Sequence, residues 1–153
     1  MARYDLVVIG SGPGGYVAAL RASQLGLKAA VVERDALGGV CLNRGCIPTK
    51  ALCHSAELFA AIRHADAVGI HASDVSLDFA AMMANKDAVV RKLNSGVAFL
   101  LKRAKVDVVG GTGRLAGRRQ VAVALSDGGE TTLEADRIIV ATGSEPARPG
   151  FIP

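Results

Sequence analysis

Cys41 and Cys46 sit five residues apart in the segment Leu37-Gly-Gly-Val-Cys41-Leu-Asn-Arg-Gly-Cys46-Ile-Pro-Thr-Lys50. Upstream lies a glycine pattern, Gly10-Ser-Gly12-Pro-Gly-Gly15, directly after the apolar run Asp5 to Ile9. The first group can do dithiol chemistry. The second can cradle the pyrophosphate of a dinucleotide. A dithiol placed beside a dinucleotide suggests that electrons pass between the two.

The thiol spacing poses a geometric question. In an ideal α-helix, an offset of five puts the Cα atoms about 8–9 Å apart and on different faces. A disulfide needs roughly 4.4–6.8 Å. Either the pair is unbonded, or the segment departs from an ideal helix. Gly38, Gly39 and Gly45 loosen the backbone, and Pro48 cannot donate to the carbonyl of Arg44. These favour departure; two apolar cysteines that never meet remain the alternative. No metal is expected, since two thiolates without a second cysteine pair or a close histidine pair do not complete a tetrahedral set. Lys50 follows Cys46 by four residues, on roughly the same helical face. Its cation can lower a thiol pKa or stabilise an anionic flavin, or it is a solvent lysine at a helix start.

Each glycine of the upstream pattern has a mechanical role. Gly10 makes the tight turn, Gly12 lets backbone approach a pyrophosphate, and Gly15 lets the helix pack close to the strand. Pro13 suits the first helical turn. The helix N-terminus then offers its free N–H groups to the phosphates. Glu33 closes a second apolar run, where a carboxylate can accept from ribose hydroxyls and would repel a 2′-phosphate. The pattern alone does not separate FAD from NAD.

These residues need a frame. The sequence predicts strands at Asp5–Gly10, Leu27–Val32 and Val106–Val109, and a doubly buried one at Arg137–Ala141. Between the last two lies a polar hairpin, Gln120–Leu125 and Glu130–Ala135, turning at Asp127-Gly-Gly129. Helices are predicted at about 14–25, with Gly26 as its left-handed cap, at about 51–64, and after a capping Asp78. In the last helix Met83, Val90, Leu93, Val97 and Leu100 recur at helical spacing and read as core; Gly96 offers room for a neighbouring backbone. Residues 146–153 read as a linker.

The chain has 153 residues, enough for one domain with a real core, and is half apolar. Its 18 basic residues exceed the 14 acidic ones, for a net charge of +4. The basic residues are scattered without aromatic interleaving, so they read as solvated helix faces and no nucleic-acid partner is expected. No leader and no apolar run of about 20 residues is seen, so neither export nor a membrane is expected and the cytoplasm is the default. Three cysteines fit a redox pair plus a bystander, Cys53, rather than a disulfide framework.

At its cysteine motif, its glycine motif, Gly111-Thr-Gly113 and Ile139-Val-Ala-Thr-Gly-Ser-Glu-Pro146, the sequence resembles the pyridine nucleotide–disulfide oxidoreductases. The lipoamide branch is the nearest. The resemblance implies an α/β fold: a Rossmann-like FAD-binding domain with a parallel sheet and an inserted antiparallel β excursion, incomplete at residues 1–153. It implies FAD as cofactor, with Gly10, Gly12, Pro13, Gly14 and Gly15 at its pyrophosphate. Glu33 would take the adenosine ribose, with Arg34 beside it. Gly39, Val40 and Cys41 would also contact FAD, with Lys50 beside the flavin ring, Gly113 near the adenine and Ala141-Thr142-Gly143 against the cofactor. Cys41–Cys46 would be the redox-active disulfide, Cys46 nearer the flavin and Cys41 exchanging with the substrate dithiol. Electrons would pass from dihydrolipoyl groups of 2-oxo acid dehydrogenase complexes to the disulfide, to FAD and then to NAD+. Such proteins continue with an NAD-binding and a dimerisation domain, the latter carrying the catalytic histidine of a homodimer. His54, His64 and His71 do not match that motif, so the chain alone is expected not to turn over. A mercuric or glutathione type of flavin disulfide reductase, or a non-catalytic FAD-binding truncation, are the alternatives.

Overall fold

The computed structural model describes residues 2–151. Five strands and four helices follow the order β1 (Ala2–Ile9), α1 (Pro13–Gln24), β2 (Ala29–Glu33), α2 (Gly39–Asn43), α3 (Cys46–Arg63), α4 (Phe79–Arg103), β3 (Asp107–Gly117), β4 (Gln120–Leu125) and β5 (Glu130–Val140). A 3-10 turn, Ala65–Val68, separates α3 from α4.

β1 pairs in parallel with both β2 and β5, and β2 with the first residues of β3. This is the expected parallel sheet, in the order β3-β2-β1-β5. β4 then pairs antiparallel with the second half of β3 and the first half of β5, which closes the strands into a barrel. The expected β excursion is therefore no separate hairpin. β3 runs on through Gly110–Gly113, and the two strands expected at Glu130–Ala135 and Arg137–Ala141 are one. β1 also starts earlier than expected, because Ala2 to Tyr4 pair with Leu133 to Ala135.

Alternation along β1 builds two cores. Val7 and Ile9 point into the barrel with Ala30, Val32, Val121 and Val123. Leu6 and Val8 point outward, onto Ala19 and Ala22 of α1 and Val97 and Leu101 of α4. A strand buried on both faces needs apolar residues at every position, which is why Leu6 to Ile9 form a continuous run. α1 ends as expected: Gly26 (φ 81°) bonds back to Ser23 and Leu27 to Ala22, the paired bonds of a Schellman cap.

Three expectations shift. α3 begins at Cys46, five residues before the expected Ala51, because Pro48 falls in the first turn where its missing N–H breaks no helical bond. The α4 stripe is core only in part: Val97 is buried, but Leu93 and Leu100 are 41% and 46% exposed, and nothing lies within 4 Å of the space a side chain would take at Gly96. Ile139 and Val140 of β5 are also exposed, since the helices pack chiefly over β1 and β2. Asp78 caps α4 as expected, accepting from the Ala81 amide at 2.9 Å. Residues 141–149 carry no regular structure; the ends of the expected first segment and linker, at 1 and 152–153, lie outside the described residues.

Candidate functional site

The site begins where β1 turns. Gly10 has φ 99°, and a side chain there would strike the Ala141 carbonyl and come within 3.2 Å of Thr142 Cα. Only glycine allows β1 and β5 to leave the sheet so close together. A side chain at Gly15 would collide with the Gly10 carbonyl, so glycine there lets α1 sit on β1 as expected. A second loop packs onto the first. Gly39 has φ 66°, and its missing Cβ would lie 2.6 Å from Gly12 Cα. The Gly38 amide donates to the Ser11 carbonyl at 3.0 Å.

Ser11 is fully buried, and its side chain and amide both serve Glu33. Its Oγ donates to Glu33 Oε2 at 2.6 Å and its N–H to the same oxygen at 2.8 Å. Oε1 accepts from the Asp35 amide at 2.9 Å. Burial alone would raise the Glu33 pKa, but these bonds from Ser11, with those from the Asp35 and Arg34 amides, outweigh it and hold the carboxyl below its ordinary range. The carboxylate is thus anionic and fixed at the end of β2. Its four lone-pair positions leave capacity for further donors.

The thiols meet because the helix breaks between them. α2 stops at Asn43 and α3 starts at Cys46, with Gly45 (φ −127°, ψ −103°) at the corner. The Cα atoms lie 4.7 Å apart, and Cys41 and Cys46 are joined as a disulfide. A side chain at Gly45 would come 3.3 Å from the Val40 carbonyl, so glycine lets the two helices pass closely. Two asparagines anchor this corner. Asn43 Nδ2 donates to the Leu37 and Gly39 carbonyls, each at 2.9 Å, and Asn94 Nδ2 of α4 donates to Leu37 O at 2.7 Å and to Asn43 Oδ1 at 3.3 Å.

A cavity of about 340 Å³ opens at the carboxyl ends of β1, β2 and β5. Open α/β sheets bind ligands at this edge. Among the expected residues, Gly10, Gly12, Pro13, Glu33, Arg34, Gly39, Val40, Cys41, Gly113, Ala141, Thr142 and Gly143 line it. Gly14, Gly15, Cys46 and Lys50 do not. Gly15 works behind the turn. Cys46 and Lys50 are exposed on the first turns of α3, one helical turn apart. His54, His64 and His71 are all exposed and outside the lining.

Sequence reasoning missed Ser11, Asp35, Asn43, Arg44, Thr112 and Ser144, which also line the cavity. Arg44 and Asp35 form an ion pair at its rim, and Arg34 pairs with Glu145 at 3.2 Å. Asn94, a polar residue inside the apolar stripe of α4, was a visible signal that went unread.

Residues 4–153 match the family described as pyridine nucleotide-disulphide oxidoreductase. The chain belongs to that family. It is 54% identical over 150 residues to dihydrolipoyl dehydrogenase 3 of Pseudomonas aeruginosa, which covers 96% of this chain and 32% of that protein. It is 50% identical over 143 residues to mitochondrial dihydrolipoyl dehydrogenase 1 of Arabidopsis thaliana, covering 92% of this chain and 28% of that one. A solved structure, the Cu(II) complex of the HOCl-induced flavoprotein disulfide reductase RclA from Escherichia coli, superposes with a TM-score of 0.81 at 26% identity, over 98% of this chain and 31% of that one. The chain thus spans about a third of the length of these relatives. Cys41 of the bonded pair stands in the wall of the glycine-lined cavity.

Proposed function

We propose that this chain is the FAD-binding and redox-disulfide part of a dihydrolipoyl dehydrogenase, its residues 1–153 forming the N-terminal part of the FAD domain. One observation carries the reading: the Cys41–Cys46 disulfide borders the same cavity that Gly10, Gly12 and Glu33 line. The cavity fits a dinucleotide, because Gly10, Gly12 and Gly39 present only backbone to its wall and Glu33 offers a fixed carboxylate. Bound there, FAD would supply a two-electron acceptor for the dithiol.

The residues would divide the work as follows. The Gly10–Gly15 turn and the start of α1 hold the pyrophosphate. Glu33 takes the ribose. Cys46 and Lys50 share an exposed face of α3, and the ring end of the cofactor would lie on that open side. A dihydrolipoyl thiolate attacks Cys41 to form a mixed disulfide, and Cys46 leaves as thiolate beside the Lys50 cation. The second substrate thiol attacks the substrate sulfur of that mixed disulfide, closes the lipoyl disulfide and releases Cys41, which takes that thiol's proton. Two electrons and one proton have then moved from substrate to the pair, the other proton having gone to solvent when the substrate thiolate formed. The proposed partners are lipoyl domains of 2-oxo acid dehydrogenase complexes and a second copy of the full-length protein, with NAD+ as final acceptor in a further domain, all in the cytoplasm. The chain alone is proposed to be inactive.

The test is the visible spectrum of the chain after loading with FAD. A flavin absorption that develops a long-wavelength band when two electrons open the bridge, present without any reductant in Cys41→Ser, whose Cys46 thiol is already free, and lost in Cys46→Ser, is the expected result. A chain that stays colourless sinks the reading, and loss of the band in Cys41→Ser instead reverses the two sulfurs. The likeness to a flavoprotein disulfide reductase of another kind favours a second reading, a reductase for a different disulfide. Turnover of dihydrolipoamide against glutathione disulfide by the full-length protein separates them.

A further inference from the structure

We propose that Asn94, acting through Asn43, is a positioning residue for the Cys41–Cys46 couple. It keeps α2 docked on α4, so that the two sulfurs stay within reach once the bridge opens.

Cys41 lies on α2 and Cys46 on α3, and only Arg44 and Gly45 join the two helices. While the disulfide is intact it fixes them to each other. Once it is reduced, that constraint is gone, and a helix of five residues has no stability of its own. What then holds α2 is its other attachments. Leu37 and Leu42 pack against the outer core, and the two asparagines bind the carbonyls at the start of α2. Asn94 is the side-chain link from this corner to α4, beside the backbone bond from the Gly38 amide to the Ser11 carbonyl. It sits one turn from the buried Val97, in a helix anchored to the core through Val97 and Leu101. Asparagine is a poor interior helix residue and this one is half-buried, yet its amide donates twice, to Leu37 O and Asn43 Oδ1. A half-buried amide so placed connects the sulfur-bearing turn to the rigid part of the fold.

The energetic consequence has a definite sign. Docking α2 in the reduced state removes freedom that would otherwise favour the open dithiol, so it raises the effective concentration of one sulfur at the other. Without the clamp the reduced form gains freedom and the disulfide becomes easier to reduce.

The inference rests on the reading of Cys41–Cys46 as a redox couple, but its test needs no flavin, so its failure is distinct from that of the proposed function. The chain is prepared with Cys53→Ser, which removes the exposed free thiol. It is equilibrated with glutathione: one bridge and two glutathione thiols give two protein thiols and one glutathione disulfide, a transfer of two electrons and two protons. Alkylation and mass measurement give the dithiol-to-disulfide ratio. Asn94→Ala and Asn43→Ala are each expected to raise that ratio about five- to tenfold, and the double variant no more than either alone, because one network is broken in each case. Asn94→Ser serves if the alanine variant folds poorly. Ser23→Ala is the control: it removes a different tether of α4, the bond to the Ala104 carbonyl, and is expected to leave the ratio unchanged. An unchanged ratio in folded Asn94 variants, or an equal shift in Ser23→Ala, overturns the proposal.

Discussion

At the residue scale, Glu33 is the group whose environment can be read out directly. Its folded carboxyl lies below the ordinary value of 4.5, so between the two values the unfolded chain binds more protons than the folded one. The stability this contributes is complete above about pH 4.5 and is lost as pH falls through the depressed folded value. Glu33→Gln keeps the shape without the charge. The stability gap between the two proteins is expected to be full at pH 7 and to narrow below about pH 4.5, as read by urea unfolding across that range. The glycines at this site divide just as sharply. Gly39→Ala is expected to lower stability by at least about 2 kcal/mol, since it combines a left-handed backbone with a collision at Gly12 Cα. Gly14→Ala meets nothing within 4 Å and sits in the first turn of α1, so it is expected to be neutral or to stabilise by about 0.5 kcal/mol. Equal melting of the two variants would remove the argument for Gly39 as a packing glycine.

At the element scale, a single hydroxyl ties two strands across a third. Tyr4 of β1, buried in the barrel, donates to Asp107 Oδ2 of β3 at 2.9 Å, and Lys28 lies 4.8 Å over its ring. Burial first, and then the bond to Asp107 and its charge, push the phenol up to about 12. The folded value is above the ordinary 10, so this contribution is complete below pH 10 and disappears as pH rises toward about 12. Tyr4→Phe is expected to cost about 1 kcal/mol at pH 8 and to flatten the loss of stability between pH 10 and 12, measured by thermal unfolding at each pH. The elements also show what the sequence could and could not tell. The glycine turn, the α1 cap and Asp78 are legible because each depends on neighbours in the chain, and the parallel strands because burial on both faces leaves a continuous apolar run. The strand β5 was split in two because its first half answers to β4 and its second to β1, and periodicity does not record a change of partner. The start of α3 was missed because Pro48 reads as a breaker unless it is known to stand in a first turn. Ser11 and Asn94 escaped because their partners, Glu33 and Leu37, come from distant chain.

At the scale of the whole molecule, the two cores account for the sheet, α1 and the C-terminal end of α4, and leave much of the helical side uncovered. α3 has no buried residue among its 18, yet Leu58 and Ile62, one turn apart, are 55% and 37% exposed. Phe79 and Phe99 of α4 are more than half exposed as well. With only half-buried side chains such as Leu52 and Phe59, α3 gains little from the two cores and is held mainly by its packing against α4 and by the corner at Cys46. Two consequences follow from that arrangement. Among the helices and strands, amide hydrogen exchange is expected to be fastest in α3 beyond Ala51 and slowest in β1 and β2, whose side chains fill both cores. Exposed apolar side chains on this scale also promote association. The 153-residue chain is expected to self-associate with rising concentration in sedimentation velocity, and the pair Leu58→Lys with Ile62→Lys to reduce this. Leu58 is more than half open while Ile62 is nearly two-thirds covered, so the double change should lower thermal stability by no more than about 1 kcal/mol. If the charged variant associates as strongly as the parent, the contact lies elsewhere. If it unfolds, α3 is packed more deeply than its exposure indicates.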